Sequence, residues 1–547
     1  MFGTDTAFGM TGGYTYTEWE AMILSGFKVF NCSHEEGAAF SASECSLCTD
    51  RISIAFSTAG PGFYHSMNGL RAARFDGSKV VYLGGITSYE ASKKWEVQPT
   101  TEKSIRAFAG GKNDAVFNEV FFIKGERDFQ QLIGFLKEHA SDPCGFVIGV
   151  FMLNTIQKQE YENWENTEKD IIEFLKENKG QVTKVQDKEI EKYAEEIALE
   201  IAHGKSILWN GYGVRKASEL FIEVAEATAS KVMSTPRGKG VFPETHPLYI
   251  GSTGMGSYGD GIREAVESKD LRSIIIFGTR LGELSSSYIH ETFKADKKYY
   301  YVGLETEDME NNLPVGAIPV RTEIGYFLER ILAHLDKKEK PVYQPVNNTG
   351  NDCPGDINNR PNPKDVMEVI QKVVIERTDS LVAGEAGNGF AWTSRYFTLS
   401  EPNRYHLSPC WGSMSHYACG LLGMTASGRQ AVGVIGDGSM LMVNELATAA
   451  KYNLPAIWIV LNEGFLNMVR QGLNALGCTP LDCSIPAVDF AAYARSVGAK
   501  GYTARNLLEF EAALMDAVNG RQPAVIDVWV DQEPIAPTGD RIKNLKS

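Results

Sequence analysis

The chain has 547 residues, 43% of them hydrophobic and 22% charged, which is the composition of an ordinary globular protein with room for several cores. At about 100–200 residues per domain, that length corresponds to three or four domains. A formal net charge of −15 and a pI near 5.3 exclude a nucleic-acid backbone or an anionic membrane as the main partner.

No apolar run approaches the roughly 18 residues of a membrane helix, and Met1–Tyr14 has neither a basic head nor a long apolar stretch, so a cytoplasmic protein without a secretory leader is expected. Nine scattered cysteines do not form a disulfide framework. Along the chain one pattern repeats: a short apolar strand, a glycine-containing turn, an amphipathic helix. This predicts an α/β protein with three doubly wound parallel-sheet domains. In the first block, residues 1–155, Cys45 and Cys48 make a lone CxxC with no second pair nearby, which predicts two reduced thiols on one helix face. From Lys158 to Lys192 the chain is highly charged and predicts an exposed surface segment. The central block, 190–337, holds the strand SILWN before Gly211-x-Gly213, and the buried strand Ser273–Gly278. Lys340–Pro363, rich in Pro, Asn and Gly, predicts an interdomain connection to the last block, 364–547.

The third block carries the strongest signal. Gln430–Gly436 reads as a buried strand running into Asp437-Gly438-Ser439; after a helical stretch and Pro455, a second buried strand, Ala456–Leu461, ends at Asn462-Glu463-Gly464. In a parallel sheet both loops lie at the carboxyl ends of their strands, where ligands bind. An acid and a second oxygen donor at neighbouring strand tips can hold one hard cation such as Mg²⁺, with open positions for phosphate oxygens. Helices that start after these loops point their positive ends at the same anion.

This arrangement of GDGS, about two dozen residues and then LNEG resembles the thiamine-diphosphate motif of the acetolactate synthase and pyruvate decarboxylase superfamily. The rest of the chain extends the resemblance. Ser33-His34-Glu35-Glu36-Gly37-Ala38-Ala39 is similar to the family's H-E-x-x-A helix, and Ser57-Thr58-Ala59-Gly60-Pro61-Gly62 to its TSGPG turn. Thr235–Gly251 and Ile274–Gly282 resemble its middle domain; Gly384–Trp392 and Trp411–Gly423 follow in family order. The three blocks are then pyrimidine-binding, central and diphosphate-binding domains.

The resemblance implies thiamine diphosphate and Mg²⁺ as cofactors. Glu35 takes the place of the acid that works on the aminopyrimidine ring, a task that calls for a partly desolvated carboxyl; Glu36 decorates the helix start and His34 is structural. Gln98 is a candidate for the glutamine that carboligating members place near the substrate. Cofactor contacts are implied for Gly60, Asn388, Gly389, Ser413, Gly436, Gly438, Ser439, Leu466 and Asn467, with Met414 as the wedge beneath a bent cofactor. Cation contacts are implied for Asp437, Glu463, Asn462 and Phe465. Glu463 stands where relatives have their second ligating Asn, with Asn462 as the alternative ligand. His406 and His416 have no spacing that assigns a role. The family builds its site between the first domain of one chain and the third of another, which implies a homodimer or homotetramer.

Three departures bear on the reaction. The chain begins at FGTDTAFG, roughly where the family's first βα unit has finished, so that unit is expected to be absent. Ser88–Thr101 lacks the paired histidine of the pyruvate decarboxylases, and the metal loop reads Asn462-Glu463. Without those histidines, decarboxylation of a 2-keto acid followed by carboligation to a carbonyl acceptor, giving an acyloin or acetohydroxy acid, is the leading expectation. A plain decarboxylase, an acyloin lyase, a catalytically silent cofactor-binding subunit and a dinucleotide oxidoreductase remain as alternatives. FAD is not expected: after IIIFGTRL the chain reads GELSSSY, without the Phe-Asp-Asp stretch of the flavin-binding relatives.

Overall fold

The computed structural model describes residues 3–13, 15–87, 97–109, 115–142, 144–152, 188–256, 260–287, 296–304, 312–335, 359–479 and 481–539, with 169, 173, 289, 343 and 344. Most of the charged Lys158–Lys192 connection, most of Lys340–Pro363 and most of Ser88–Thr101 lie outside these residues.

Among the described residues eighteen strands form three six-stranded sheets, and every pairing between these strands is parallel. The first contains β1 (Thr6–Met10), β2 (Lys28–Asn31), β3 (Ser53–Ser57), β4 (Lys79–Gly84), β5 (Glu119–Ile123) and β6 (Phe146–Met152), ordered β2-β1-β3-β4-β6-β5. The second contains β7 (Ser206–Asn210), β8 (Lys231–Ser234), β9 (Tyr249–Ser252), β10 (Ser273–Phe277), β11 (Lys298–Gly303) and β12 (Ile318–Arg321), ordered β12-β11-β10-β7-β8-β9. The third contains β13 (Leu381–Gly384), β14 (Tyr405–His406), β15 (Ala431–Gly436), β16 (Ala456–Asn462), β17 (Lys500–Ala504) and β18 (Ala524–Trp529), ordered β14-β13-β15-β16-β18-β17. Central strands such as SILWN, SIIIF and AIWIVLN are buried at every residue. A parallel strand covered by helices on both faces requires such unbroken apolar runs.

The expected absence of the first βα unit is overturned. Thr6–Met10 forms β1, paired with both β2 and β3, and Tyr16–Leu24 is the helix that follows. The strand is short, TAFGM, and its glycine packs against Phe56, so no long apolar run announces it.

The first and third domains meet through two helices, Glu35–Thr49 and His416–Met424. Both are almost wholly buried; the first is rich in Ala and Ser, and the second carries Gly420 and Gly423 on its buried surface. Their backbones touch: a Cβ at Gly423 would stand 1.8 Å from the Ser41 carbonyl oxygen. One core continues across the junction, with Ala38, Ala42 and Cys45 joined to Tyr417, Leu421 and Trp458.

Candidate active site

The third sheet reverses its direction of growth at β13, with β14 on one side and β15, then β16, on the other. Ligands bind outside the carboxyl ends of strands at such a point. There the three adjacent strands β13, β15 and β16 release the loops that carry Asn388, Asp437 and Glu463. These loops enclose a cavity of about 240 Å³. Asn388, Gly389, Met414, Gly436, Asp437, Gly438, Ser439, Glu463, Phe465, Leu466 and Asn467 line it. Ser413 lies at its edge, where its hydroxyl donates to the Met414 carbonyl at 2.9 Å and accepts from the Asn68 amide at 2.9 Å.

Asp437 is buried, and its carboxylate accepts backbone N–H groups of Gly438, Glu463 and Gly464 at 2.8, 2.9 and 2.7 Å. Burial pushes its pKa up to about 6 against those three donors. Glu463 is buried beside it, accepts from the Asn467 amide at 3.0 Å, and is pushed up to about 7 by burial, with the Asp437 charge adding to the effect. Arg470 does not pair with Glu463; it donates to Asn467 at 2.8 Å and to the Gln532 carbonyl at 2.7 Å. Asn462 points elsewhere: its amide donates to Asp527 at 2.9 Å and to the Val488 carbonyl at 3.3 Å, and it does not line the cavity.

Two buried carboxyls with raised proton affinity form a site that a dication would relieve. The amide of Asn388 is buried at the cavity wall beside Glu463, which it reaches only with poor hydrogen-bond geometry. A buried amide so poorly satisfied calls for a ligand. The donor set therefore fits Mg²⁺ with a diphosphate: Asp437 and Glu463 for the cation, Asn388 and the surrounding backbone for the anion.

The first-domain candidates lie apart. Glu35 opens the helix Glu35–Thr49, is buried, and its Oε2 lies 3.2 Å from Nδ1 of His65. His34 caps that helix, its Nδ1 accepting from the Glu36 N–H at 3.1 Å, and its ring stacks on His65 with centroids 4.8 Å apart. Gln98 has φ +62 and packs on Gly60, where a Cβ would stand 2.6 Å from the Gln98 Cα. Neither Glu35, Gly60 nor Gln98 lines the third-domain cavity.

Three polar contacts were not foreseen. Glu445 accepts the backbone N–H groups of Ser33 and His34 at 2.9 and 3.2 Å, so a third-domain carboxyl tethers the segment that leads into the Glu35 helix; burial pushes its pKa up to about 7. Glu44, fully buried, bridges Nδ1 of His406 at 2.9 Å and Nε2 of His416 at 2.8 Å. Cys45 and Cys48 are free thiols on the one helix Glu35–Thr49, as the sequence suggests, and the fold adds Nε2 of His406 at 3.6 Å from the Cys48 thiol, with Glu44 beside it. Burial raises both thiols, Cys45 to about 12 and Cys48 well above its ordinary value, which keeps them protonated.

A second cavity, of about 170 Å³, lies at the carboxyl ends of β7 and β10 and is lined by Tyr212, Arg215, Arg237 and Arg280. The Gly211-x-Gly213 turn does not present free donors to it. Gly211 N–H donates to the Phe277 carbonyl at 2.8 Å, and Gly213 N–H to the Gly278 carbonyl at 3.0 Å.

Comparisons with known proteins identify the family. Three family models match: the N-terminal TPP-binding domain of thiamine pyrophosphate enzymes over residues 1–105, the central domain over 195–331 and the C-terminal TPP-binding domain over 385–528. The chain is 25% identical over 562 residues to the acetolactate synthase large subunit of Haemophilus influenzae, covering 97% of this chain and 92% of that one. It is likewise 25% identical over 560 residues to YdaP of Bacillus subtilis, named as a thiamine pyrophosphate-containing protein, covering 98% of this chain and 91% of the other. Its fold matches the thiamine diphosphate-dependent 4-hydroxybenzoylformate decarboxylase of Rhodococcus jostii RHA1 with a TM-score of 0.79 over 96% of both chains, at 16% identity.

Proposed function

Since the chain belongs to the thiamine pyrophosphate enzymes of the acetolactate synthase and pyruvate decarboxylase superfamily, we propose that it decarboxylates a 2-keto acid and joins the acyl unit to a carbonyl acceptor, giving an acyloin or acetohydroxy acid. The cofactor, when bound, supplies a nucleophilic carbon and an electron sink for the acyl unit. Asp437 and Glu463 would hold the Mg²⁺, Asn388 and Gly389 the diphosphate, and Met414 would pack against the cofactor from the cavity wall. The observation that carries this assignment is the pair of buried carboxyls, Asp437 and Glu463, both raised by burial at the wall of the cavity that Asn388 also lines. Glu35 holds and moves a proton at its carboxyl, and Gln98, fixed against Gly60, orients the acceptor.

The functional unit is at least a homodimer. Within one chain the cavity is lined from the central and third domains alone, which supports a Glu35 supplied by a second copy, as the family arrangement implies. Leu441, Met442 and Val469, apolar and at least two-fifths exposed, surround the third-domain loops and would be covered by that copy. The central domain works without flavin, since its glycine turn spends its N–H groups internally. A cytoplasmic setting accords with the free thiols: no disulfide occurs among the described residues.

A second reading, simple decarboxylation to an aldehyde, is favoured by one observation. The stacked imidazoles of His34 and His65 beside Glu35 offer an acid where the sequence lacks the usual histidine pair. Product analysis decides. The purified protein with thiamine diphosphate and Mg²⁺ is given a panel of 2-keto acids, alone and with aldehydes. Mixed acyloins or acetohydroxy acids support ligation. Aldehyde alone supports the second reading, and no turnover of any donor overturns both.

A further inference from the structure

The turn that leads into the Glu35 helix rests on the third domain of the same chain. The strand Lys28–Asn31 ends against the helix Leu446–Tyr452: the Asn31 N–H donates to the Tyr452 hydroxyl at 3.0 Å, and Phe30 meets the Tyr452 ring edge-on with centroids 5.1 Å apart. Cys32 keeps its N–H on the Gly9 carbonyl of the first sheet. Ser33 and His34, the two residues just before Glu35, turn to Glu445 instead. Its Oε2 accepts the Ser33 N–H at 2.9 Å and its Oε1 the His34 N–H at 3.2 Å. The Thr448 hydroxyl donates to the same carboxyl and stands 3.1 Å from the Ser33 hydroxyl. Glu445 is fully buried, and it fits only because residue 37 has no side chain: a Cβ at Gly37 would stand 2.2 Å from Oε1.

From this geometry we infer that Glu445 is a positioning residue for Glu35: from the third domain, it sets where the first domain presents its acid. The inference rests on the role proposed for Glu35. One carboxyl with an oxygen on each of two successive N–H groups fixes the direction in which the backbone enters the helix, and so the place of the first side chain on it. The tether grips backbone and makes no bond to the Glu35 side chain, which stays free to exchange its proton. Small errors of placement matter here, because a shift of about 1 Å in a reacting group costs about a hundredfold in rate. Glutamine cannot replace the carboxyl. Its one oxygen serves one N–H, and its NH2 would then face the other, donor against donor.

The test uses the full chain with thiamine diphosphate, Mg²⁺ and an active 2-keto acid, in wild type, Glu445→Gln, Gly37→Ala, Glu35→Gln and the double variant Glu35→Gln/Glu445→Gln. Glu445→Gln should lower kcat by about tenfold to a hundredfold. KM and the cofactor concentration for half-saturation should stay as in wild type, since the bonds of Asp437 and Glu463 run to Gly438, Gly464, Asn467 and each other's loop rather than to Glu445. Gly37→Ala displaces the same carboxyl from the helix side while improving helix propensity, and should give the same split between kcat and KM even where Glu445→Gln fails to fold. In the double variant the second change should cost no further kcat, because a residue that acts through Glu35 has nothing left to position. A second readout needs no cofactor. Hydrogen exchange of the unloaded protein, followed by mass spectrometry, should quicken by about tenfold at Ser33 and His34 in Glu445→Gln, with the body of the helix Glu35–Thr49 unchanged. Ordinary kcat in Glu445→Gln or Gly37→Ala, an equal further loss in the Glu35→Gln background, or exchange that is unchanged or quickens along the whole helix overturns the positioning role and leaves Glu35 in place. Full activity of Glu35→Gln overturns the role of Glu35 itself.

Discussion

Glu44 and His416 lie 2.8 Å apart, one from the first domain and one from the third, and neither side chain reaches solvent. With His406 on the other carboxylate oxygen, this is a buried ion cluster at the junction between domains. Burial alone would raise the Glu44 carboxyl, but the hydrogen bonds and charges of the two histidines bring it well below its ordinary 4.5. Burial likewise opposes charge on His416, yet Glu44 holds its pKa above the ordinary 6.5.

The pH dependence of stability follows with opposite signs for the two groups. The depressed Glu44 contributes stability above pH 4.5, lost only as pH falls through its much lower folded value. The raised His416 contributes stability that is complete below pH 6.5 and fades as pH rises through its folded value. Thermal unfolding against pH should show the alkaline decline in wild type and a flatter profile in Glu44→Gln. Removing one partner of such a pair costs about 3–5 kcal/mol. An unchanged profile in the variant would show that the cluster carries no net charge coupling.

Glu463→Ala and Asn462→Ala should separate cleanly. Loss of Glu463 should raise the Mg²⁺ needed for half-maximal cofactor binding by about tenfold or more, since even outer-shell partners of a metal are worth 10–100-fold. Loss of Asn462 instead leaves the Asp527 carboxylate without its 2.9 Å donor. That should cost about 1–3 kcal/mol of stability with little change in Mg²⁺ demand. Magnesium titrations and melting curves on both variants check the ranking; its reversal would make Asn462 the ligand.

Glu35→Gln should keep the fold and lower turnover by orders of magnitude, because an amide cannot carry the proton that a carboxyl exchanges. Steady-state rates beside circular dichroism test this.

Gly423→Ala should be severe for so small a change. The new methyl would overlap the Ser41 carbonyl oxygen, a backbone atom with nowhere to go, so the two helices must separate. Overpacking typically costs about 1–3 kcal/mol, and backbone contact places this site at the upper end. Gly436→Ala, where nothing stands within 4 Å of the new atom, is the control that should melt like wild type.

The sequence makes legible whatever depends on local pattern. Buried strands such as AIWIVLN, the Asp437 turn and the Glu463 loop are all continuous segments whose chemistry shows in their residue types. What it hides is contact between distant segments. Glu44 meets residues 362 and 372 positions away, and Glu445 reaches Ser33 across 412. His65 stands 30 positions from Glu35, on the helix after the Gly-Pro-Gly turn, and could have been found by asking which side chains of that helix's first turns face the acid. Strand β1 was missed for another reason: five residues containing a glycine carry too little apolar signal, and it is pairing on both edges that makes TAFGM a strand.

Close packing of Gly423 on Ser41 also determines what can move. Helices in backbone contact have no layer of side chains to slide over, and packed interfaces of this kind switch between discrete arrangements or stay put. Glu44 and Glu445 fasten the same junction, so the contact between the first and third domains of one chain is close-packed and polar at once. A hinge between these two domains is then not available to time the admission of substrate or the escape of product.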